Sequence, residues 1–141
     1  MALPKCPLLT VDVVIVVEGK VVLVTRGKPP FEGMRALPGG FVDVGETVED
    51  AAAREALEET SLRVRIVDLV GVFSDPRRDP RGHAVSIAFL AAPESGVLRG
   101  ADDALDAALF SQGSLPPLAF DHEAILKKAF PLARRHGLLD G

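Results

Sequence analysis

Residues 37–62 read LPGGFVDVGETVEDAAAREALEETSL, and the rest of the chain is best read outward from them. Thr47 has the character of a helix N-cap, and Asp50, three residues on, completes a capping-box pattern. Good helix formers follow with neither Gly nor Pro, which predicts a helix running to about Thr60. At about 100° per residue, Glu55, Glu58 and Glu59 stand at i, i+3 and i+4 and crowd one face. Three like charges so close repel one another. A divalent cation is the natural compensation, because hard cations such as Mg²⁺ take oxygen ligands. Val48, Ala51 and Ala52 lie on the same stripe, whereas a solvated acidic face normally lies opposite the apolar one. A stripe that runs from apolar into acidic suggests carboxylates facing a cleft, although Ala53, Ala56 and Leu57 make much of the other side apolar too. Arg54 is placed to pair with Glu58 or to hold Glu46 at the helix entrance, and either contact orients a ligand carboxylate. Gly39 and Gly40 let the backbone approach a metal or a phosphate closely, and a carbonyl there can add a metal ligand.

Upstream, residues 11–17 are β-branched and read as a strand, with residues 20–26 as its partner and Glu18-Gly19 as the turn. Both are nearly all apolar, which predicts burial on both faces. Residues 27–35 read as a loop. Downstream, residues 63–73 read as a long strand, bent at Gly71, and residues 74–82 as a polar loop. Another strand is expected over about 83–92, loop over 93–103 and a short strand over 107–110. Asp121 is placed to cap a C-terminal helix running towards His136, with Pro131 kinking or interrupting it. The alternation of strands and helices predicts an α/β fold with a mixed sheet and helices on its faces.

A chain of 141 residues suits one domain, taken here as residues 1–141, and 48% hydrophobic residues supply a core. The net charge of −4 comes without any basic block, which argues against nucleic acid as a partner. Cys6 is the only cysteine, so no intrachain disulfide can form, in keeping with a reducing compartment. No signal peptide or membrane-spanning run is visible. A soluble, cytoplasmic protein with no membrane partner is expected.

The fixed positions Gly40, Glu46, Arg54-Glu55, Glu58-Glu59 and Leu62 resemble the Nudix box: Gly, five residues, Glu, seven residues, Arg-Glu, aliphatic, any, Glu-Glu, any, Gly, aliphatic. Two positions depart from it. Ala56 is small for the aliphatic site, and Ser61 replaces the last glycine, which bears on how the helix ends but removes no ligand. A solvated Glu/Ala-rich surface helix would account for residues 54–60, yet not for residues 37–40 and Glu46 at the right distance upstream. The resemblance implies a Nudix-type α/β/α sandwich around a mixed sheet and metal-dependent hydrolysis of a nucleoside diphosphate linked to a group X, with Mg²⁺ as cofactor and Mn²⁺ as a substitute. It implies Glu58 and Glu59 as metal ligands, Glu55 as ligand or general base, and Glu46 as ligand or outer anchor. Glu94, Asp102, Asp103 and Glu123 are further candidates for the base.

Residues 71–83, residues 26–28 and residues 118–122 resemble the ADP-ribose pyrophosphatases of that family, small prokaryotic ones included. Pro76 lies fifteen residues beyond Ser61, as in that group. The expected partner is therefore a small-molecule nucleotide, with ADP-ribose cleaved to AMP and ribose 5-phosphate. A pyrophosphohydrolase of nucleoside triphosphates and a binding-only nucleotide sensor are the rival readings. The group leaves a homodimer open. The chain has no Tyr and no Trp, so an adenine must stack on one of its seven Phe or on an Arg plane. Phe31 and Phe73 are the loop-adjacent candidates, and Arg26, Lys28 and Arg81 are candidates for phosphate or ribose contact. Arg77, Arg78 and Arg81 also read as a solvated loop. His83 reads as structural, Asp102-Asp103 as a turn, and His122 as part of a helix start.

Overall fold

In the computed structural model, which describes residues 3–100 and 104–140, the apolar run around Val13 is the centre of the molecule. It lies within β1 (Leu8–Val17). Successive side chains of a strand point to opposite faces, and here both faces are covered. Val11, Val13 and Ile15 pack with Ala51, Ala52 and Ala56 of α1 (Val48–Thr60). Val14 and Val16 pack with Ile125, Leu126, Ala129 and Phe130 of α2 (His122–Arg135). A strand with an apolar residue at nearly every position thus needs a helix on each side, and the result is an α/β/α sandwich.

The remaining strands are β2 (Lys20–Arg26), β3 (Arg35–Ala36), β4 (Gly39–Phe41), β5 (Leu62–Phe73), β6 (Ala84–Gly96) and β7 (Ala104–Phe110). The main order is β3-β2-β1-β6-β5, with β4 paired to β1 and β7 to β2. Among the paired strands of the described residues only β1 and β6 run parallel, so the sheet is mixed. Glu18 and Gly19 both have positive φ, as the tight turn between β1 and β2 requires. One edge of β1 is shared. Residues 10–12 pair with β4, while Val16 and Val17 pair with β2. Between these pairings the edge forks, and a cleft opens there.

Several expectations shift in detail. The sixth strand runs on through Pro93 to Gly96. Pro93 lies beyond the last β1–β6 pair, Ile15 with Ala91, where β6 has an open edge and a missing N–H costs little. The last strand begins at Ala104, earlier than expected. Helix α2 continues through Pro131, which is exposed. Asp121 precedes α2 but makes no side-chain cap bond. Its carboxylate is taken by Arg78 instead.

Helix α1 follows its sequence closely. The Asp50 N–H donates to the Thr47 hydroxyl at 3.1 Å. At the other end, Ser61 adopts φ 65, the left-handed conformation that glycine takes without strain. Ser61→Gly is expected to stabilise the fold by about 0.5–1 kcal/mol by removing the left-handed penalty. Its exposed 3.3 Å hydroxyl contact to the Arg99 carbonyl contributes little against that. A melting temperature a few degrees higher checks this, and a lower one would mean that the strain is not the dominant effect.

Candidate functional site

The cleft at the fork has a volume of about 440 Å³, within the range of small-molecule sites. Asp12, Arg26, Gly39, Gly40, Glu55, Glu58 and Glu59 line it, together with Lys28, Asp43, Arg78, Asp79, Arg81, Phe120 and His122. The acidic face of α1 forms one wall. Arg26, Lys28 and Arg81 lie elsewhere on the lining.

Arg54 organises the acidic wall. Its Nε donates to Glu46 Oε2 at 2.7 Å and its Nη2 to Glu46 Oε1 at 2.9 Å. Nη1 donates to Glu55 at 2.9 Å and to Glu58 at 3.1 Å, while Nη2 also reaches the Phe41 carbonyl at 3.0 Å. Both contacts foreseen for Arg54 are therefore made at once, and one guanidinium ties the helix entrance to two cleft carboxylates. The Arg54 hydrogen bonds, with the Asp43 N–H, hold the Glu46 carboxyl at about 2.

Glu59 sits differently. Its Oε1 accepts the Gly39 N–H at 2.7 Å. Burial, with the neighbouring Glu55 and Asp12 charges, pushes its carboxyl up to about 8 against this hydrogen bond and Arg26. Burial likewise pushes Glu55 up. Both glycines are required by close approach. A Cβ on Gly40 would lie 2.5 Å from Glu55 Oε1, and one on Gly39 would lie 2.2 Å from the Val11 carbonyl oxygen. The β1–β4 register separates the pair. The Val13 N–H bonds the Pro38 carbonyl and the Val42 N–H bonds the Leu9 carbonyl. Alternation along an antiparallel ladder then makes Val11 and Gly40 a hydrogen-bonded pair and Asp12 and Gly39 a non-hydrogen-bonded one, so the N–H and carbonyl of Gly39 point away from β1. Of the two, Gly39 has the freer carbonyl.

Carboxylate and carbonyl oxygens are the donor chemistry of a hard divalent cation. Such a charge would offset the crowding of Glu55 and Glu59. Among the described residues no three acidic, His or Cys side chains converge on one point; Arg54 bonds Glu55 and Glu58, and the Gly39 amide bonds Glu59.

The raised Glu59 has a pH consequence. Between 4.5, the ordinary value, and about 8, the folded chain holds a proton that the unfolded chain has released. Metal-free protein is therefore expected to lose stability as pH rises through this window. Glu46 acts oppositely but elsewhere, its stabilisation being present above 4.5 and lost as pH falls towards about 2. Melting temperatures in chelator from pH 5 to 8 should fall, and Glu59→Gln should flatten the slope. An unchanged slope in that variant would assign the effect to another group.

The rest of the lining is cationic and aromatic. Arg26 lies 4.9 Å from the Phe120 ring centroid, and Arg81 lies 5.8 Å from it and 5.6 Å from that of Phe41. Asp79 holds Arg81 at 2.8 Å. Phe31 meets the cleft only through Phe120, edge to face at 4.8 Å. Both of these phenylalanines have positive φ, 61 and 53. Strained non-glycine backbone of this kind concentrates at ligand-binding positions. Phe73 does not line the cleft. It packs against the core on the α2 side, with Lys128 over its ring at 5.6 Å, because its position on β5 directs it to that layer. Glu94 and Glu123 also lie off the cleft lining, and Asp102 and Asp103 fall outside the described residues. His83 bonds the Ser74 carbonyl and holds its loop.

Asp12, Arg78, Phe120 and His122 are among the lining residues that escaped the sequence reading as site residues. Arg78 is 4% exposed, forks onto Asp121 at 2.6 and 2.9 Å, and lies 3.7 Å from Asp12. Burial raises the cost of the Asp12 charge, but His122, Ser86 and Arg78 outweigh it and hold its carboxyl below the usual range. The one available signal was Asp12 itself, a lone charge in the run TVDVVIVV.

The NUDIX domain family model matches residues 7–132. The chain is 50% identical over 121 residues to an ADP-ribose pyrophosphatase of Methanocaldococcus jannaschii, covering 86% of this chain and 72% of that protein. It is 31% identical over 133 residues to an ADPR responsive transcriptional repressor of Acinetobacter baylyi, covering 88% of this chain but only 53% of the repressor. The NUDIX domain of Shewanella oneidensis NrtR, solved in complex with ADP ribose, superposes with a TM-score of 0.81 at 29% identity, over 91% of this chain and 89% of that one. The chain belongs to the Nudix family and is a Nudix hydrolase. Such hydrolases use divalent metal ions. Among the described residues no helix is long and apolar enough to cross a membrane.

Proposed function

We propose that the chain hydrolyses the phosphoanhydride bond of ADP-ribose to AMP and ribose 5-phosphate, with Mg²⁺ as the physiological ion and Mn²⁺ as a substitute. The observation that carries this reading is the lining of one cleft: half-buried carboxylates on α1, with Arg26, Lys28 and Arg81 beside an aromatic wall. A diphosphate needs both, since its own charge is met by arginines and by cations that carboxylates hold. The M. jannaschii pyrophosphatase and the ADP-ribose-bound NrtR domain favour ADP-ribose over other diphosphates.

Glu55, Glu58, Glu59 and the Gly39 carbonyl are the groups that would hold the ion, with Gly40 leaving room for Glu55. A bound divalent ion supplies Lewis-acid polarisation of phosphate oxygens and a more acidic water. Glu46 acts through Arg54, which fixes Glu55 and Glu58. Arg81 and Arg26 bind phosphate oxygens or ribose, and Lys28 adds positive charge. Phe120, backed by Phe31, offers a face on which adenine stacks.

A second reading, a nucleotide-binding module without turnover, is favoured by the resemblance to the A. baylyi repressor. Against it, every carboxylate of the Nudix box is present. Product analysis with ADP-ribose, dNTPs and a nucleotide sugar, in Mg²⁺ or Mn²⁺ and with chelator, separates the readings. Metal-dependent AMP release from ADP-ribose is expected. Pyrophosphate release from dNTPs alone would select a triphosphate pyrophosphohydrolase, and tight ADP-ribose binding without product would select the binding module.

A further inference from the structure

We propose that His122 is a positioning residue: it clamps the backbone of residues 37–39 so that the Gly39 amide holds the Glu59 carboxylate in the cleft. The inference rests on the reading of Glu59 as part of a metal-binding hydrolytic site.

Three consecutive residues each make a hydrogen bond to a different element. The Leu37 N–H donates to His122 Nδ1 of α2 at 2.9 Å. The Pro38 carbonyl accepts the Val13 N–H of β1 at 2.9 Å. The Gly39 N–H donates to Glu59 Oε1 of α1 at 2.7 Å. Pro38 has no N–H of its own to add. This crossing piece, between β3 and β4, is therefore held on the α2 side by His122.

His122 is itself fixed by a closed ring of contacts. Accepting at Nδ1 places the ring proton on Nε2, which faces Asp12 Oδ1 at 3.3 Å. Asp12 also accepts the Ser86 hydroxyl and lies beside Arg78. Arg78 forks onto Asp121, the chain neighbour of His122. Asp12, Ser86 and His122 are buried. No buried side-chain nitrogen or oxygen among the described residues lacks a partner.

A buried, satisfied histidine is often only a core group. What separates His122 from that role is where its bond ends. The peptide it holds lies two residues before the one that holds Glu59. There is also no slack at the far end, because a Cβ on Gly39 would stand 2.6 Å from Asp12 Oδ1. Gly39 rests against the same carboxylate that His122 contacts, so release of the ring displaces the Gly39 amide and frees Glu59 to turn.

The test uses Mn²⁺ alone, titrated into the full chain without substrate, and the ¹H–¹⁵N resonance of the Gly39 amide. His122→Ala, folded by its melting curve, is expected to weaken Mn²⁺ binding about 10- to 100-fold, as loss of a group that orients a ligand does, and to shift the Gly39 resonance. His122→Asn, whose amide oxygen can take the Leu37 N–H, should restore most of both. If His122→Ala does not fold, Asp12→Asn, which loosens the ring from its Nε2 side, is read in its place and should show a smaller weakening with a shift of the same resonance. A folded His122→Ala, or Asp12→Asn in its place, that binds Mn²⁺ within about twofold of the parent, well short of the loss expected for a group that orients a ligand, with the Gly39 resonance unmoved, would overturn the proposal. Failure of the parent protein to bind Mn²⁺ is a separate result, which would overturn the metal-site reading and this inference together.

Discussion

Glu58→Gln is expected to lower metal-dependent turnover of ADP-ribose by about 10³-fold while leaving the fold intact. The substitution keeps the shape of the side chain and removes its charge. Glu58 is partly exposed and pairs with Arg54, which keeps Glu46 and Glu55. Little stability therefore depends on it, whereas a cation in the cleft loses a charged oxygen donor. Turnover and Mn²⁺ affinity should fall together while the melting temperature stays within about 2 °C of the parent, as for surface changes generally. Turnover unchanged in Glu58→Gln would remove Glu58 from the site.

Arg78→Ala should do the reverse and act first on stability. Its guanidinium is almost wholly buried and stands between Asp121 and Asp12. Removing one partner of a buried ion pair leaves the others uncompensated, which costs about 3–5 kcal/mol. Asp121 is partly exposed and can be rehydrated, so about 3 kcal/mol is expected here, or a melting temperature lower by about 10 °C for a chain of this size. Arg77→Ala is the matched control, since Arg77 is 90% exposed and pairs with the nearby Asp75. Equal effects of the two substitutions would mean that Arg78 does not support the cleft floor.

Much of the fold is set by local pattern. A β-branched run with no polar face requires cover on both sides, and β1 has a helix on each. Thr47, followed by an uninterrupted run of helix formers, starts α1 where it is found. The fixed spacing from Gly40 through Glu46 to Glu59 placed the acidic wall, because its residues lie on one helix and the short segment leading into it. Phe73 was misplaced for the opposite reason. Its nearness to a loop in sequence did not reveal which layer its strand position faces.

By itself, then, the sequence determined the strand at the centre, the helix α1 and the three glutamates on one of its faces. The strand follows from an unbroken β-branched run and the glutamate face from the 3.6-residue period of a helix. Only the tertiary structure decided what faces those glutamates. Arg77, Arg78 and Arg81 are three equivalent charges in one polar loop as sequence, but in the fold one is solvated, one is buried beneath the cleft and one lies on its aromatic wall. The bonds that separate them have no local period. Arg78 reaches Asp121 across 43 residues, and Leu37 reaches His122 across 85. Those pairings exist because β1 packs α1 and α2 on opposite faces, and the fork in its edge brings their partners together.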